Sequence, residues 1–99
     1  MPKCKITVLR RMFIEDLANE YCANPQICSA FKDGQEYLLD KPQKPADFCG
    51  SAWDSISNYV FAFIYGAESL YGNWMKDKNT MIACCNDGVR PVIFKIEKV

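Results

Sequence analysis

The sequence predicts an α+β fold with the element order β-α-β-α-β-β, in which one main helix packs on an antiparallel sheet that carries a C-terminal hairpin. Three patterns support this fold: an alternating segment near the start, a helical repeat of apolar residues after Ser51, and β-forming residues on both sides of Asp87-Gly88. A length of 99 residues fits a single domain spanning 1–99. We expect the hairpin to lie at the centre of the sheet, covered by the main helix.

Two strands are predicted in the first half of the chain. Residues 4–10, CKITVLR, alternate so that every second side chain from Cys4 to Val8 lies on one half-buried face. The later segment DGQEYLLD begins with an Asp-Gly turn and continues as a second strand through Tyr37 and Leu39. Both segments are short enough to belong to one small sheet.

A short helix is predicted between these strands, in the segment FIEDLANEYC. Glu15 and Asp16 lie early in it, where the helix dipole favours acidic residues, and Asn24-Pro25 stops it. Its apolar residues recur at helical spacing and are expected to form one buried stripe, made of Phe13, Ile14, Leu17, Ala18 and Tyr21.

The main helix is predicted to begin near Ser51 and to end at Gly66. Ser51 and Asp54 have the spacing of a capping box, in which each side chain bonds to a free amide of the first turn. The expected buried face consists of Trp53, Ile56, Val60, Phe63 and Ile64. Phe61 and Tyr65 widen that face, so we expect this helix to be covered on a second side, by another subunit.

The last hairpin places two adjacent thiols before Asp87-Gly88. If this pair forms a two-residue turn, Cys85 lies across from Arg90 and Cys84 lies across from Pro91. The two thiols then point to opposite faces of the sheet. The β-carbons of Cys85 and Arg90 lie about 5 Å apart in such a pair, which brings the guanidinium of Arg90 near the Cys85 thiol. A fixed positive charge favours the thiolate, so Cys85 is the strongest candidate for a reactive or metal-binding sulfur.

Composition and charge exclude several classes of function. Twelve basic and twelve acidic residues cancel, and the longest basic block is Arg10-Arg11, so we expect no nucleic-acid partner. The apolar N-terminal run is too short for a signal peptide or a membrane span, so we expect a cytoplasmic protein without a membrane partner. An apolar fraction of 49% in so small a chain favours homo-oligomerisation.

Six cysteines and no histidine limit the chemistry that the chain can perform. The cysteine spacing contains no C-x-x-C pair, and the lack of histidine excludes His-ligated zinc and the Ser-His and Cys-His dyads. We expect Cys4 and Cys22 to be apolar filler of the core. Cys28, Cys49 and Cys85 lie on loops or rims, where packing explains less, so both the filler role and the reactive role stay open for them.

Several segments carry a resemblance to a known family. FCGSAWDSI, WMKDKNT and ACCNDGVRPVIFKIEKV, together with KCKITVL and GQEY, look like a family of small, uncharacterised prokaryotic proteins of about this length. The resemblance covers nearly the whole chain, and its most specific element is the C-C-x-D-G-x-R-P-V-x-F-K run. The chain departs from the family pattern at Ser29 and in a longer connection before Trp74. The resemblance implies that the family motif includes Cys28, Cys49, Cys84, Cys85, Trp53, Trp74 and Arg90.

Three functions compete on these observations. The first is a thiolate site in which Cys28, Cys49 and Cys85, with Cys84 as a fourth candidate, bind Zn, Cu(I) or an iron-sulfur cluster, or cycle between dithiol and disulfide. The second is a non-catalytic homo-oligomeric module with structural cysteines. It would bind a small molecule or a partner protein in a pocket formed by Trp53, Tyr71, Trp74 and Asp54.

The third function is an enzyme that uses Cys85 as a nucleophile, with Asp87 or Asp54 to transfer protons. No general base and no oxyanion site stand out in the sequence, so this hypothesis has the least support. Whether the chain is an enzyme is left open by the sequence.

Overall fold

The computed structural model describes all residues, 1–99, and confirms the α+β fold. Its elements are β1 (Cys4–Arg11), α1 (Glu15–Tyr21), β2 (Glu36–Leu39), α2 (Gly50–Ile64), β3 (Thr80–Cys84) and β4 (Val92–Lys98). All neighbouring strands are antiparallel, and their order in the sheet is β2-β1-β4-β3. The C-terminal hairpin of β3 and β4 is therefore central only through β4, because β3 forms an edge.

The hydrophobic core lies between one face of the sheet and α2. Every second residue is buried from Cys4 to Val8 in β1 and from Val92 to Ile96 in β4, as the alternation predicts, because successive side chains of a strand point to opposite faces. Helix α2 covers this face with Ala52, Ile56, Val60, Phe63 and Ile64. Four of these were predicted, whereas the predicted Trp53 is only half-buried and Ala52 is fully buried instead. Full burial of each large apolar side chain contributes about 1.5–3 kcal/mol.

The two ends of α2 differ in how well the sequence predicts them. The predicted capping box is wrong: the N-cap is Cys49, no side chain caps the helix, and Ser51 already lies inside the first turn. The C-terminal prediction is confirmed by the left-handed φ of Gly66, +91°. The amides of Gly66 and Ala67 bond the carbonyls of Phe63 and Ala62 at 3.1 and 2.9 Å, which is the Schellman pattern.

A β-bulge in β1 changes which basic side chain faces the core side of the sheet. The pairing with β4 shifts between Val8 and Arg10, so that Arg11 rather than Arg10 lies opposite the inward-facing Val92. Opposed residues share a face, and simple alternation from Cys4 would have placed Arg10 on it. The bulge therefore directs Arg11 toward the face that α2 covers.

Helix α1 extends beyond the sheet and does not bury the predicted apolar stripe. Of its residues only Ala18 is buried, while Leu17 is 38% exposed and Tyr21 is 74% exposed. The helix packs on no other helix or strand. The chain just before it is instead bonded to the loop that precedes β4, where the Ile14 amide donates to the Val89 carbonyl at 2.8 Å. Neither α1 nor α2 combines the length and the apolar character needed to cross a bilayer.

The predicted register of the last hairpin is wrong by two residues. Ala83 pairs with Phe94 and Cys84 with Ile93, so Cys85 lies across from Val92 and not from Arg90. The connection is a loop over 86–91 instead of a two-residue turn. A shift of two residues keeps every side chain on its predicted face, since the period of a strand is two. Cys85 therefore faces the core side, and Cys84 lies exposed on the other face.

Candidate functional site

Three of the predicted thiols line one cleft at the end of the sheet where α2 begins. Cys28, Cys49 and Cys85 form its walls together with Asp87 and Arg90, and its volume is about 410 Å³. The remaining wall is mostly apolar and consists of Ala30, Phe31, Ala52 and Val92, with Ser51 and Asn86 as polar members. The three thiols come from segments that are far apart in the sequence, so only the tertiary fold brings them together.

Cys85 is positioned by the last contacts between the two strands of the hairpin. Its amide donates to the Val92 carbonyl at 3.1 Å, and the Val92 amide donates to the Cys85 sulfur at 3.3 Å. The side chain is partly buried. A backbone N–H aimed at sulfur offers partial positive charge to a thiol or thiolate at that position.

Cys28 lies in the irregular segment 22–35, which is fixed to the sheet by Arg11. The Arg11 guanidinium donates from Nη1 to the Cys28 carbonyl and from Nε to the Asp33 carboxylate, both at 3.1 Å. The sulfur of Cys28 accepts a hydrogen bond from the Ala30 amide at 3.4 Å. Sequence reasoning missed Arg11, because nothing in the alternation of β1 signals the bulge that turns it inward.

Cys49 is the N-cap residue of α2, at the positive end of a 15-residue helix. The residue before it, Phe48, is buried and packs edge-on against Phe31, with ring centroids 4.9 Å apart. This aromatic contact anchors the chain where it enters the helix. The first-turn residues Ser51 and Ala52 line the same cleft as the Cys49 thiol.

Arg90 and Asp87 form an ion pair at the mouth of the cleft, with 2.9 Å between Nε and Oδ2. The amides of Arg90 and Val89 donate to the Asp87 carboxylate, and these bonds, followed by the guanidinium, lower its pKa below the ordinary 3.8. Asp87 in turn raises the pKa of Arg90, with smaller contributions from the nearby thiols of Cys28 and Cys22.

Cys22 lies in a second, adjacent cavity of about 280 Å³ that shares Asp87 and Arg90 with the cleft. The prediction that Cys22 fills the core is wrong, because it is exposed at the end of α1, beyond the sheet. The same prediction is confirmed for Cys4, which is fully buried. Burial and the Glu97 carboxylate raise the pKa of the Cys4 thiol to about 11.

The other predicted site residues lie away from the cleft. Cys84 is exposed on the opposite face of the sheet, and Asp54 is exposed on α2. Trp53 packs on Phe48, with 5.9 Å between ring centroids, and the hydroxyl of Tyr71 bonds that of Tyr59 at 3.2 Å. Trp74 is 70% exposed. None of the five cavities is lined by Trp53, Tyr71 or Trp74, so the structure does not bring these residues into one pocket.

The cleft does not present a formed metal site. No group of three or more Cys, Asp or Glu side chains in the structure is arranged to hold a metal ion. Structural zinc needs four ligands, and iron-sulfur clusters likewise take four protein ligands in most sites.

Comparison with protein-family models, with curated proteins and with solved structures found no match to this chain. The resemblance to the small prokaryotic family therefore stays a prediction.

Proposed function

We propose that the chain is a thiol–disulfide exchange protein in which two of the cleft thiols cycle between the dithiol and the disulfide. The observation that carries the proposal is the shared cleft of Cys28, Cys49 and Cys85. All three are free and half-buried, accessible to a small reagent and yet held among neighbours that fix their positions. The proposal assumes a reducing compartment, in which the resting form is the dithiol.

The reaction consists of two exchange steps. One cleft thiolate attacks a sulfur of a low-molecular-weight disulfide, forming a mixed disulfide and releasing the first small thiolate. A second cleft thiolate then attacks the protein sulfur of the mixed disulfide, closing the protein disulfide and releasing the second small thiolate. The two protons lost by the protein thiols are taken up by the two released thiolates, so the substrate disulfide is reduced and the protein is oxidised.

Cys28 is the member of the trio whose side chain is best placed to move toward a partner, since the Arg11 bond at 3.1 Å holds only its backbone carbonyl. It lies in the segment 22–35, which has no regular secondary structure, whereas Cys49 is the N-cap of α2 and Cys85 adjoins β3. Loops carry local motion at a lower free-energy cost than packed elements. The proposal therefore includes Cys28 in the disulfide, joined to Cys49 or Cys85.

A reduced sample treated with a small disulfide tests this function. We expect the peptides of the three cleft cysteines to lose two hydrogen atoms in total without a retained adduct, whereas the exposed Cys22 and Cys84 each take up an adduct when the reagent is in excess. Cys28→Ser is expected to leave a stable mixed disulfide, since the second attack lacks its thiol. Cys84→Ser is the matched control, because that thiol lies on the other face of the sheet, and it should behave as the unmodified chain does. A permanent adduct on Cys28, Cys49 or Cys85 of the unmodified chain would contradict the proposal.

Elemental analysis distinguishes this function from the metal-binding one. Protein purified without oxygen is expected to contain no stoichiometric zinc, copper or iron. One metal equivalent per chain, lost together with one cleft thiol in a Cys→Ser variant, would favour a metal site over exchange chemistry.

A homo-oligomeric assembly module is the second candidate, favoured by an exposed aromatic pair on α2. Phe61 and Tyr65 are 44% and 74% exposed, and their rings lie 6.3 Å apart between centroids with their planes tilted by 34°. A second copy of the chain is the cover that this candidate requires. Light scattering at micromolar concentration tests it, and a strict monomer would contradict it.

A further inference from the structure

We infer that the cleft selects low-molecular-weight disulfides that carry a carboxylate, and that Arg90 recognises this charge. The inference rests on the proposed function and names its substrate class. It concerns which small disulfides react fastest, whereas the proposed function requires only that some small disulfide reacts.

The bonding of Arg90 leaves part of its guanidinium free. Its Nε donates to Asp87, and neither terminal nitrogen has a partner in the protein. The side chain is 43% exposed and lines the thiol cleft. Arg11 differs, because its Nε and Nη1 are both bonded to protein acceptors. Two terminal N–H groups in one plane match the two oxygens of a carboxylate, which a lysine ammonium does not do.

The ion pair orients Arg90 without blocking its outer end. Oδ1 of Asp87 accepts the amides of Val89 and Arg90, and Oδ2 accepts the Arg90 Nε. Both oxygens of the Asp87 carboxylate are therefore occupied within the loop, and the two terminal nitrogens of Arg90 are left for a ligand. Asp87 also raises the pKa of Arg90, which favours the charged form of the guanidinium.

The rest of the cleft fits a small, partly apolar anion. Asp87 and Arg90 are the only charged residues that line it, and the walls beside them are formed by Phe31, Ala52 and Val92. A volume of about 410 Å³ lies near the lower end of the range for small-molecule sites. The chain has no net charge, so long-range steering does not explain a preference, and any preference must arise at the cleft.

Three small disulfides of similar length test the inference: dithiodipropionate, which is anionic, hydroxyethyl disulfide, which is neutral, and cystamine, which is cationic. The rate of protein disulfide formation is measured with each at low ionic strength and divided by its rate with the urea-unfolded chain, which removes intrinsic reactivity. We expect the corrected rate for the anion to exceed that for the cation by about tenfold. A factor of about ten corresponds to the free energy that one charge-assisted hydrogen bond contributes.

Arg90→Gln is expected to abolish this preference, and Arg90→Lys to keep only part of it, since the ammonium retains charge without the planar pair of donors. Lys95→Gln is the matched control, because Lys95 lies on the opposite face of the sheet and should leave the preference unchanged. Circular dichroism checks that each variant is folded.

The possible outcomes separate this inference from the proposed function. Equal corrected rates for all three disulfides in the unmodified chain would overturn the inference and leave exchange chemistry standing. An anion preference that survives Arg90→Gln would overturn the assignment to Arg90. Failure of every reagent to form a protein disulfide would overturn the proposed function and the inference with it.

Discussion

The guanidinium of Arg11 donates a hydrogen bond to the backbone carbonyl of Cys28, with 3.1 Å between Nη1 and the oxygen. The same guanidinium contacts Asp33, so one side chain fixes two points of the segment 22–35 to the sheet. The bulge after Val8 makes this contact available, since it turns Arg11 toward the cleft. The position of the Cys28 thiol therefore depends on a residue that sequence patterns do not mark.

Arg11→Met is expected to lower the free energy of unfolding by about 1–3 kcal/mol, because it removes charge-assisted bonds from a side chain that is only 26% exposed. Urea titration measures the change. Arg10→Met is the control, since Arg10 is exposed and makes no side-chain hydrogen bond or ion pair. Equal losses for the two variants would show that the Arg11 contacts add no stability.

Gly66→Ala is expected to destabilise the chain by about 1 kcal/mol through its backbone conformation alone. Gly66 has a φ of +91°, and a β-carbon there would meet no atom within 4 Å, so crowding adds no further cost. Gly50→Ala is the matched control in the first turn of the same helix, where φ is not positive and space is also open. Thermal unfolding should show a lower Tm for the first variant and an unchanged or higher Tm for the second.

The Cys4 thiol is expected to make stability fall in alkaline solution. Burial, followed by the Glu97 carboxylate, raises its pKa from 9.0 to about 11. Below pH 9.0 the thiol is protonated in the folded and unfolded chain alike, and its contribution is fully present. As pH rises further, the unfolded thiol ionises first, so the free energy of unfolding falls by about 1.4 kcal/mol per pH unit until the folded thiol also ionises.

Urea titrations with reductant present, at a series of alkaline pH values, measure this slope. Cys4→Ala is expected to be less stable overall, because it leaves a small cavity, but to show a flatter decline. Cys22→Ala removes an exposed thiol instead and should keep the slope of the unmodified chain. A slope unchanged by Cys4→Ala would contradict the assignment of this pH dependence to Cys4.

Asp87 is expected to contribute stability that is lost in acid. Its pKa is lowered by the amides of Arg90 and Val89 and by the guanidinium of Arg90, so the folded chain holds the carboxylate more strongly than the unfolded chain does. The contribution is present above pH 3.8 and disappears as pH falls through the lower folded pKa. Solvent reduces its size, because both partners of the ion pair are partly exposed.

Acid unfolding followed by circular dichroism tests this expectation. Asp87→Asn should flatten the decline of stability below pH 3.8. Asp54→Asn is the control, because Asp54 is exposed on α2 and forms no ion pair. If Asp54→Asn flattened the decline as much as Asp87→Asn, the bonds at the cleft mouth would not be its cause.

The sequence predicts the layers of this fold well, because apolar residues recur along the chain with the period of the strand or helix whose face is buried. The alternation from Cys4 to Val8 and the helical spacing from Ile56 to Ile64 both appear in the core as predicted. The faces of the hairpin also follow from the alternation of successive side chains along a strand. Cys84 and Cys85 therefore point in opposite directions, although the predicted register is wrong by two residues. The register itself depends on the loop over 86–91, where Asp87 bonds two amides in a way that an Asp-Gly pair alone does not reveal.

The cleft is predicted only in part, because it depends on tertiary contacts. The sequence ranks Cys28, Cys49 and Cys85 as candidates through their loop and rim positions, and all three line the cleft. The sequence does not predict that Cys22 lies beside Arg90, since the position of Cys22 depends on the direction in which α1 leaves the sheet. The aromatic pocket predicted around Trp74 is not formed, because a surplus of aromatic residues does not specify where each one packs.

Peptide mapping of the oxidised chain tests the central claim most directly. The reduced protein is treated with one small disulfide, remaining thiols are alkylated, and the disulfide-linked peptides are identified by mass spectrometry. The account predicts one intramolecular bond that joins Cys28 to Cys49 or Cys85, with Cys4 recovered as an alkylated thiol and Cys84 in no intramolecular bond. A fully reduced chain, or a bond formed only between Cys22 or Cys84 of two different chains, would contradict it.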